Sequence, residues 1–272
     1  MVSEMNVRRD KTKIYKAAFF DRDHTLIHGD PALRTQRAQM IERWSGKALD
    51  VPQELFSRLL GDRQLLTVEN EIAFWKLYFT ELLRSQGVTE QIGARADALF
   101  DAYWLKGGVV YPETKAVLDW FHSQGYRMGV ISDTSPSLKL TLEAVGLADY
   151  FSCFVCSDQV GVMKPEPLIY QTALSLLGVS AEESLYVDDY DVEADGARAL
   201  GFTAFHICRE TKPKQDWDIT SLHQIVESLR AHSCLKSLPP NYFSGQDFMT
   251  PGLIRRFFVG EFSKSLNSLP HC

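Results

Sequence analysis

Apolar positions along the chain gather into five short runs, Ile14–Phe20, Tyr126–Ser132, Tyr150–Cys156, Ser184–Val187 and Thr203–Ile207. Each run has the length of a strand, and longer stretches with helical spacing of apolar residues separate them. Residues 113–125 show the second pattern: Pro112 marks a start, Val117, Leu118 and Phe121 recur at helical spacing, and Gly125 marks a stop. Leu138–Val145 and Ile169–Leu177 close in the same way at Gly146 and Gly178. Strands alternating with such helices predict βαβ units. The expected fold is therefore α/β, with a doubly wound parallel five-stranded sheet covered on both faces.

The interval between Phe20 and Tyr126 breaks the alternation. Pro31–Trp44, Pro52–Leu60, Val68–Gln86 and Thr89–Trp104 read as four helices, and strand signals are almost absent. A structureless loop of this length would be out of place in a compact domain. An inserted α-helical domain at 30–106 is expected instead, hinged near His28–Pro31 and Lys106–Pro112, with 1–29 and 107–231 forming the sheet domain. The aromatic stripe in Val68–Gln86 then reads as the inserted domain's own core. A last helix is predicted over Ser221–Leu229. The extension 232–272, with Pro239-Pro240, Gly245 and Pro251-Gly252, has no pattern that assigns it a role.

Of 272 residues, 45% are hydrophobic and 24% charged, which fits a globular chain and excludes a disordered or collagen-like one. Acidic residues outnumber basic ones 35 to 29, the opposite of the field a nucleic-acid binder presents. No apolar run approaches the roughly 18 residues of a membrane helix. The basic N-terminus (Arg8, Arg9, Lys11, Lys13, Lys16) lacks the apolar stretch of a secretory signal. Among five cysteines only Cys153-Phe-Val-Cys156 has suggestive spacing, and without a second Cys/His pair it reads as buried thiols rather than a zinc site. Strand alternation puts Phe151, Cys153 and Val155 on one face, Phe154 and Cys156 on the other. Reduced thiols predict a cytoplasmic protein.

Candidate chemistry sits where the first run passes directly into Asp21-Arg22-Asp23-His24-Thr25. Two carboxylates thereby stand at a strand's C-terminal end, the edge at which open parallel sheets bind ligands. Acids this close raise each other's pKa unless a cation or separate roles relieve them. The second run ends in Ile131-Ser132-Asp133-Thr134. Gly161-Val-Met-Lys164-Pro165-Glu-Pro167 places a lysine after the third, and the fourth leads into Val187-Asp188-Asp189-Tyr190-Asp191-Val192-Glu193. Each alone has an ordinary explanation as a turn, a surface charge or a helix start. Together, carboxylates, hydroxyl, lysine and acid cluster fall in order at one sheet edge. The sequence holds no G-x-x-x-x-G-K-[ST] loop, no G-x-G-x-x-G after a strand and no G-x-S-x-G elbow. His28, His122, His206, His223, His232 and His271 lack ligand spacing, and His206 reads as a core or edge-strand residue.

This ordered set resembles the haloacid dehalogenase-like (HAD) hydrolase superfamily over about Ile14–Leu229. Asp21-x-Asp23-x-Thr25, Ser132, Lys164-Pro165 and Asp188 with its acidic neighbours match the four motifs. The insertion resembles the helical C1-type cap of subfamily I. The resemblance implies a Mg²⁺-dependent phosphatase acting on a small phosphorylated metabolite. Asp21 would be the nucleophile forming an aspartyl-phosphate, and Asp23 the general acid and then the general base. Ser132 would bind a phosphoryl oxygen, with Thr25 and Asp133 also at the substrate. Lys164 would offset the charge of Asp21 and the phosphoryl group. The metal would be held by Asp21, the Asp23 carbonyl and Asp188, with Asp189 or Glu193 in support. Family dehalogenases lack the second aspartate, so Asp23 points to phosphate esters. The resemblance leaves the oligomeric state at monomer or homodimer.

Three positions depart from the family pattern: His24 stands where Gly is common, Asp133 where Asn is frequent, and Val187 where Gly usually precedes the motif-four acid. Two other readings remain open at this point. A phosphoglucomutase-like phosphotransferase would use the same aspartyl intermediate, and a non-catalytic binding or regulatory protein could retain the fold. Arg34, Arg63 and Trp75 are the inserted residues expected to face the site.

Overall fold

The computed structural model describes residues 14–61 and 65–237. The elements in chain order are β1 (Ala17–Phe20), β2 (Ile27–Gly29), α1 (Pro31–Ser45), α2 (Leu55–Leu60), α3 (Val68–Ser85), α4 (Ile92–Tyr103), β3 (Gly108–Val110), α5 (Thr114–Ser123), β4 (Arg127–Ser132) and α6 (Leu138–Ala144). They continue with β5 (Cys153–Cys156), α7 (Ser157–Val160), α8 (Pro167–Leu177), β6 (Ser184–Asp188), α9 (Asp191–Ala199), β7 (Thr203–Ile207), β8 (Asp218–Ile219) and α10 (His223–Ser237).

The first apolar run becomes the central strand because both its faces are buried. Ala18 and Phe20 enter one core with Phe121, Val130 and Leu142; Ala17 and Phe19 enter the other with Ile131, Tyr170 and Phe202. Strand β1 lies between β4 and β6, parallel to both, in a sheet ordered β5-β4-β1-β6-β7-β8. Gly129 permits the close pairing of β1 with β4 and β5: a Cβ there would come within 2.9 Å of the Phe19 ring and 3.2 Å of the Cys153 Cβ.

The sheet has six strands rather than the expected five. The additional β8 spans two residues, too short for any apolar alternation to announce it. It pairs in parallel with β7, where the Cys208 amide donates to the Ile219 carbonyl at 2.7 Å and the His206 amide to the Trp217 carbonyl at 3.1 Å. A second correction concerns Phe151. It packs with Phe20 and Phe154 on the face opposite Cys153 and Val155, because β5 begins only at Cys153 and alternation does not extend back to it. Cys153, Cys156 and Cys208 are buried free thiols.

Helices α1–α4 stand between β2 and β3 and share a core of their own, including Ile41, Leu55, Phe79, Leu82, Leu83 and Leu99. Asp30 caps α1 by accepting from the Ala32 amide at 2.8 Å with Pro31 following, and Gly46 in a left-handed conformation ends it. The two connections to this unit are not plain linkers. Ile27–Gly29 and Gly108–Val110 pair antiparallel as a small ribbon. One buried contact ties the helices to the sheet domain: Glu71 on α3 accepts from the backbone N–H of Ser137 at 2.8 Å and from its hydroxyl at 2.7 Å, just before α6. No helix among the described residues is long and apolar enough to cross a membrane.

Candidate active site

The C-terminal ends of β1 and β6 converge on the side chain of Lys164. Its ammonium donates to Asp21 Oδ1 at 2.9 Å and Asp188 Oδ2 at 2.8 Å, and lies 2.6 Å from Glu193 Oε2. Asp21 follows β1 directly, and its amide donates to the Val187 carbonyl at 2.9 Å, which ties the strand end to β6. Asp188 ends β6. Its second oxygen accepts from the Tyr190 amide at 2.9 Å, and the buried Tyr186 hydroxyl donates to the oxygen that Lys164 holds.

Close packing carries Lys164 to this point. The Lys164–Pro165 peptide is cis, and α9 runs against it at Gly196, where a Cβ would sit 2.5 Å from the Pro165 Cβ. That approach requires glycine. It also brings Glu193, on the first turn of α9, within reach of the ammonium. Asp133 secures the other side of the loop by accepting from the Lys164 backbone N–H at 3.0 Å. In this arrangement Asp133 holds the lysine loop, and burial raises its carboxyl above the usual range.

Charge in the cluster is unbalanced. Three carboxylates face one ammonium, with Asp23 close by. Burial, opposed by Lys164 and reinforced by the Asp188 charge, pushes Asp21 up to about 8. Burial and Asp188 push Glu193 up to about 7. Burial works against the charge on Lys164, but Asp21, Asp188 and Glu193 outweigh it and hold the ammonium well above its usual range. A buried excess of negative charge on oxygen donors is what a hard divalent cation relieves. The donor set fits Mg²⁺ on that chemistry. Thr25 adds a buried hydroxyl without a hydrogen-bond partner.

The expected residues are not equally placed. Asp21, Lys164, Asp188 and Glu193 meet, and Ser132, buried at the end of β4, pairs in register with Cys156 beside them. Asp23 is more open, its side chain 51% exposed and held by Arg22 Nη2 at 2.6 Å. Asp189 is not among the acids that pair with the lysine. It borders a cavity of about 350 Å³ lined also by His24, Tyr111, Tyr190 and Arg209, and burial with the Asp188 charge raises it to about 6. Trp75 packs among Phe56, Phe74, Tyr78 and Phe79 within the helical unit rather than toward the lysine. Arg34 lies at the ribbon, its Nη2 3.6 Å from where a Gly29 Cβ would be, and Arg63 lies outside the described residues.

Sequence reasoning missed Tyr186, Arg22 and Arg209. Tyr186 had a signal, since two residues before Asp188 on a strand share its face. Arg22, between the two aspartates, also donates to Thr134 Oγ1 at 3.0 Å and Thr141 Oγ1 at 3.1 Å. Arg209 grips the loop after Asp23 from 184 residues away along the chain. His206 does lie beside the edge strand. His206, Cys208 and Asp218 bring ligand-type atoms within 4.8 Å of one another. Their donors are spent on the protein: Asp218 takes His206 Nδ1 at 3.0 Å and the amides of Lys214 and Gln215 at 2.6 and 3.0 Å, while Cys208 donates to the Ile219 carbonyl at 3.4 Å. This cluster fastens β8 to β7.

A parallel doubly wound sheet with an aspartate pair, a lysine and an acid cluster at one edge is the arrangement of an α/β enzyme that binds its ligand at the strand ends. The family profile described as haloacid dehalogenase-like hydrolase matches residues 15–201, and the chain belongs to that family. Its relatives include a phosphoglycolate phosphatase of Yersinia pseudotuberculosis, 29% identical over 70% of this chain and 80% of its own. A ribulose-1,5-bisphosphate 5-phosphatase of Halopiger xanaduensis is 30% identical over 68% of this chain and 81% of its own. Among solved structures, a HAD phosphatase from Thermococcus onnurineus is similar with a TM-score of 0.57 and 28% identity, covering 79% of this chain and 97% of its own. The chain is thus a phosphoric monoester hydrolase of the HAD type.

Proposed function

We propose that the chain hydrolyses a small phosphorylated metabolite in a Mg²⁺-dependent reaction that passes through an aspartyl-phosphate on Asp21. The observation that carries this reading is the contact of one buried ammonium with Asp21, Asp188 and Glu193. Lys164 opposes the burial that favours the neutral carboxyl of Asp21, and a Mg²⁺ ion bound beside it would favour the carboxylate further. The ammonium holds one carboxylate oxygen, leaving the other to attack phosphorus. The P–O bond to the leaving group breaks as the Asp21–P bond forms, and the leaving oxygen takes a proton from Asp23. The more open position of Asp23 suits a group that gives up a proton and regains one from the water that then attacks phosphorus. That attack breaks the Asp21 O–P bond and releases inorganic phosphate with the free Asp21 carboxylate. Ser132 and Thr25 supply hydroxyls to the phosphoryl oxygens, and the orphaned Thr25 Oγ1 supports its share. Asp21, the Asp23 carbonyl and Asp188 would hold Mg²⁺, which when bound supplies the positive charge that phosphoryl transfer needs. Asp189 and Glu193 support that set, Glu193 through Lys164.

Residues 30–106 act in this reading as a cap over the sheet domain formed by 1–29 and 107–231. The Glu71–Ser137 contact supports it, because it joins the helical unit to the segment just after Ser132, Asp133 and Thr134. Two relatives of nearly equal identity carry names with different substrates, so the substrate is proposed only as a class. The test is a panel of phosphorylated metabolites assayed for phosphate release with Mg²⁺, and again after chelation. Release that stops on chelation is the expected result. Isomerised sugar phosphate without release would instead make the chain a mutase, and no turnover of any ester would refute the reading.

A further inference from the structure

We propose that Arg209 is a positioning residue that holds the turn after Asp23 in its working conformation, a role made necessary by His24. The backbone of His24 has φ of +53°, in the left-handed region. Residues with a Cβ enter that region at a cost and stay only where surrounding contacts fix them. Arg209 provides the contacts. Its Nε donates to the His24 carbonyl at 2.9 Å and its Nη2 to the Thr25 carbonyl at 2.6 Å, so one planar fork grips two successive peptides at the strained position.

The fork is itself fixed from behind. Arg209 Nη1 donates to Glu113 Oε1 at 2.7 Å, the Ser221 hydroxyl donates to the same oxygen at 3.3 Å, and the guanidinium carbon lies 3.4 Å from the Tyr111 ring centroid. Tyr111 and Glu113 belong to the segment returning from the helical unit. Arg209 therefore pins the catalytic turn to the point where the chain re-enters the sheet domain. Within the turn, the Leu26 and Ile27 amides donate to the Arg22 carbonyl at 3.0 and 3.1 Å, which makes its closure measurable. A glycine at 24 would need no such grip.

The activity arm of the test rests on the phosphatase reading; the exchange arm does not. Turnover of p-nitrophenyl phosphate is measured for wild type, His24→Gly, Arg209→Met and the double variant. Arg209→Met is expected to lower kcat about tenfold in the wild-type background, with KM little changed, and less than threefold in the His24→Gly background. Hydrogen exchange of the Leu26 and Ile27 amides is expected to quicken about tenfold in Arg209→Met while β4 amides stay unchanged. Equal kcat losses in both backgrounds, or unaltered exchange at Leu26 and Ile27, would overturn the proposal. A wild-type chain that turns over no ester refutes the phosphatase reading alone, and exchange then decides this one.

Discussion

Replacing Glu71 with alanine should destabilise the protein by more than its place in the helical unit suggests. The carboxylate is buried, and both its oxygens accept from Ser137, one from the amide at 2.8 Å and one from the hydroxyl at 2.7 Å. Truncation strands those two donors, and a buried donor without an acceptor costs about 1–3 kcal/mol. The carboxylate's own desolvation offsets part of what its charge-assisted bonds contribute. A net loss of about 2–3 kcal/mol follows, which for a domain of this size lowers Tm by roughly 4–12 °C. Glu71→Gln keeps the shape and one acceptor, so it should lose about half as much. Thermal and urea unfolding, followed by circular dichroism and tryptophan fluorescence together, measure both variants. A Glu71→Ala midpoint within 1 °C of wild type would show that this contact does not hold the two units together in solution, roughly 1 °C being about the smallest shift such arithmetic can assign.

Two further outcomes are expected. Lys164→Met should lower kcat for an aryl phosphate by about 10²–10³-fold, the usual scale for losing one pre-organised charge at a reacting group; a loss under tenfold in steady-state assays would remove Lys164 from the mechanism. Glu113 is pulled below its ordinary value of 4.5 because Arg209 outweighs its burial, so it contributes stability that is present above that value and is lost as pH falls through the lowered one. The Tm deficit of Glu113→Gln should accordingly be full at neutral pH and shrink below about pH 4.5; a deficit independent of pH would refute the pairing.

Legibility in the sequence followed sequence distance. The five strands are readable because each is a compact apolar run between helices with glycine stops, and the candidate site acids because they follow those runs directly. Thr203–Ile207 even kept its limits. What escaped was long-range or very short. Arg209 reaches Thr25, and Glu71 reaches Ser137, across separations that no local pattern records. The ribbon strands β2 and β3 have three residues each, and β8 has two, too few to show a period. The resemblance also left Asp189 and Glu193 open as the acid supporting the metal. Helix geometry separates them: Glu193 returns on the first turn of α9 against the Gly196–Pro165 contact, whereas Asp189 lies before the helix and faces His24. His24 was visible as an anomaly, and its positive φ supplies the physical reason that glycine is the ordinary choice there.

In the proposed mechanism Asp21 carries the phosphoryl group. Rapid acid quenching of the protein during turnover of a ³²P-labelled ester with Mg²⁺, followed by peptide mapping, tests it most directly. Label is expected on Asp21, formed and lost at rates that match turnover, and absent from Asp21→Asn. Full turnover with no label on Asp21, or retained activity in Asp21→Asn, would contradict it.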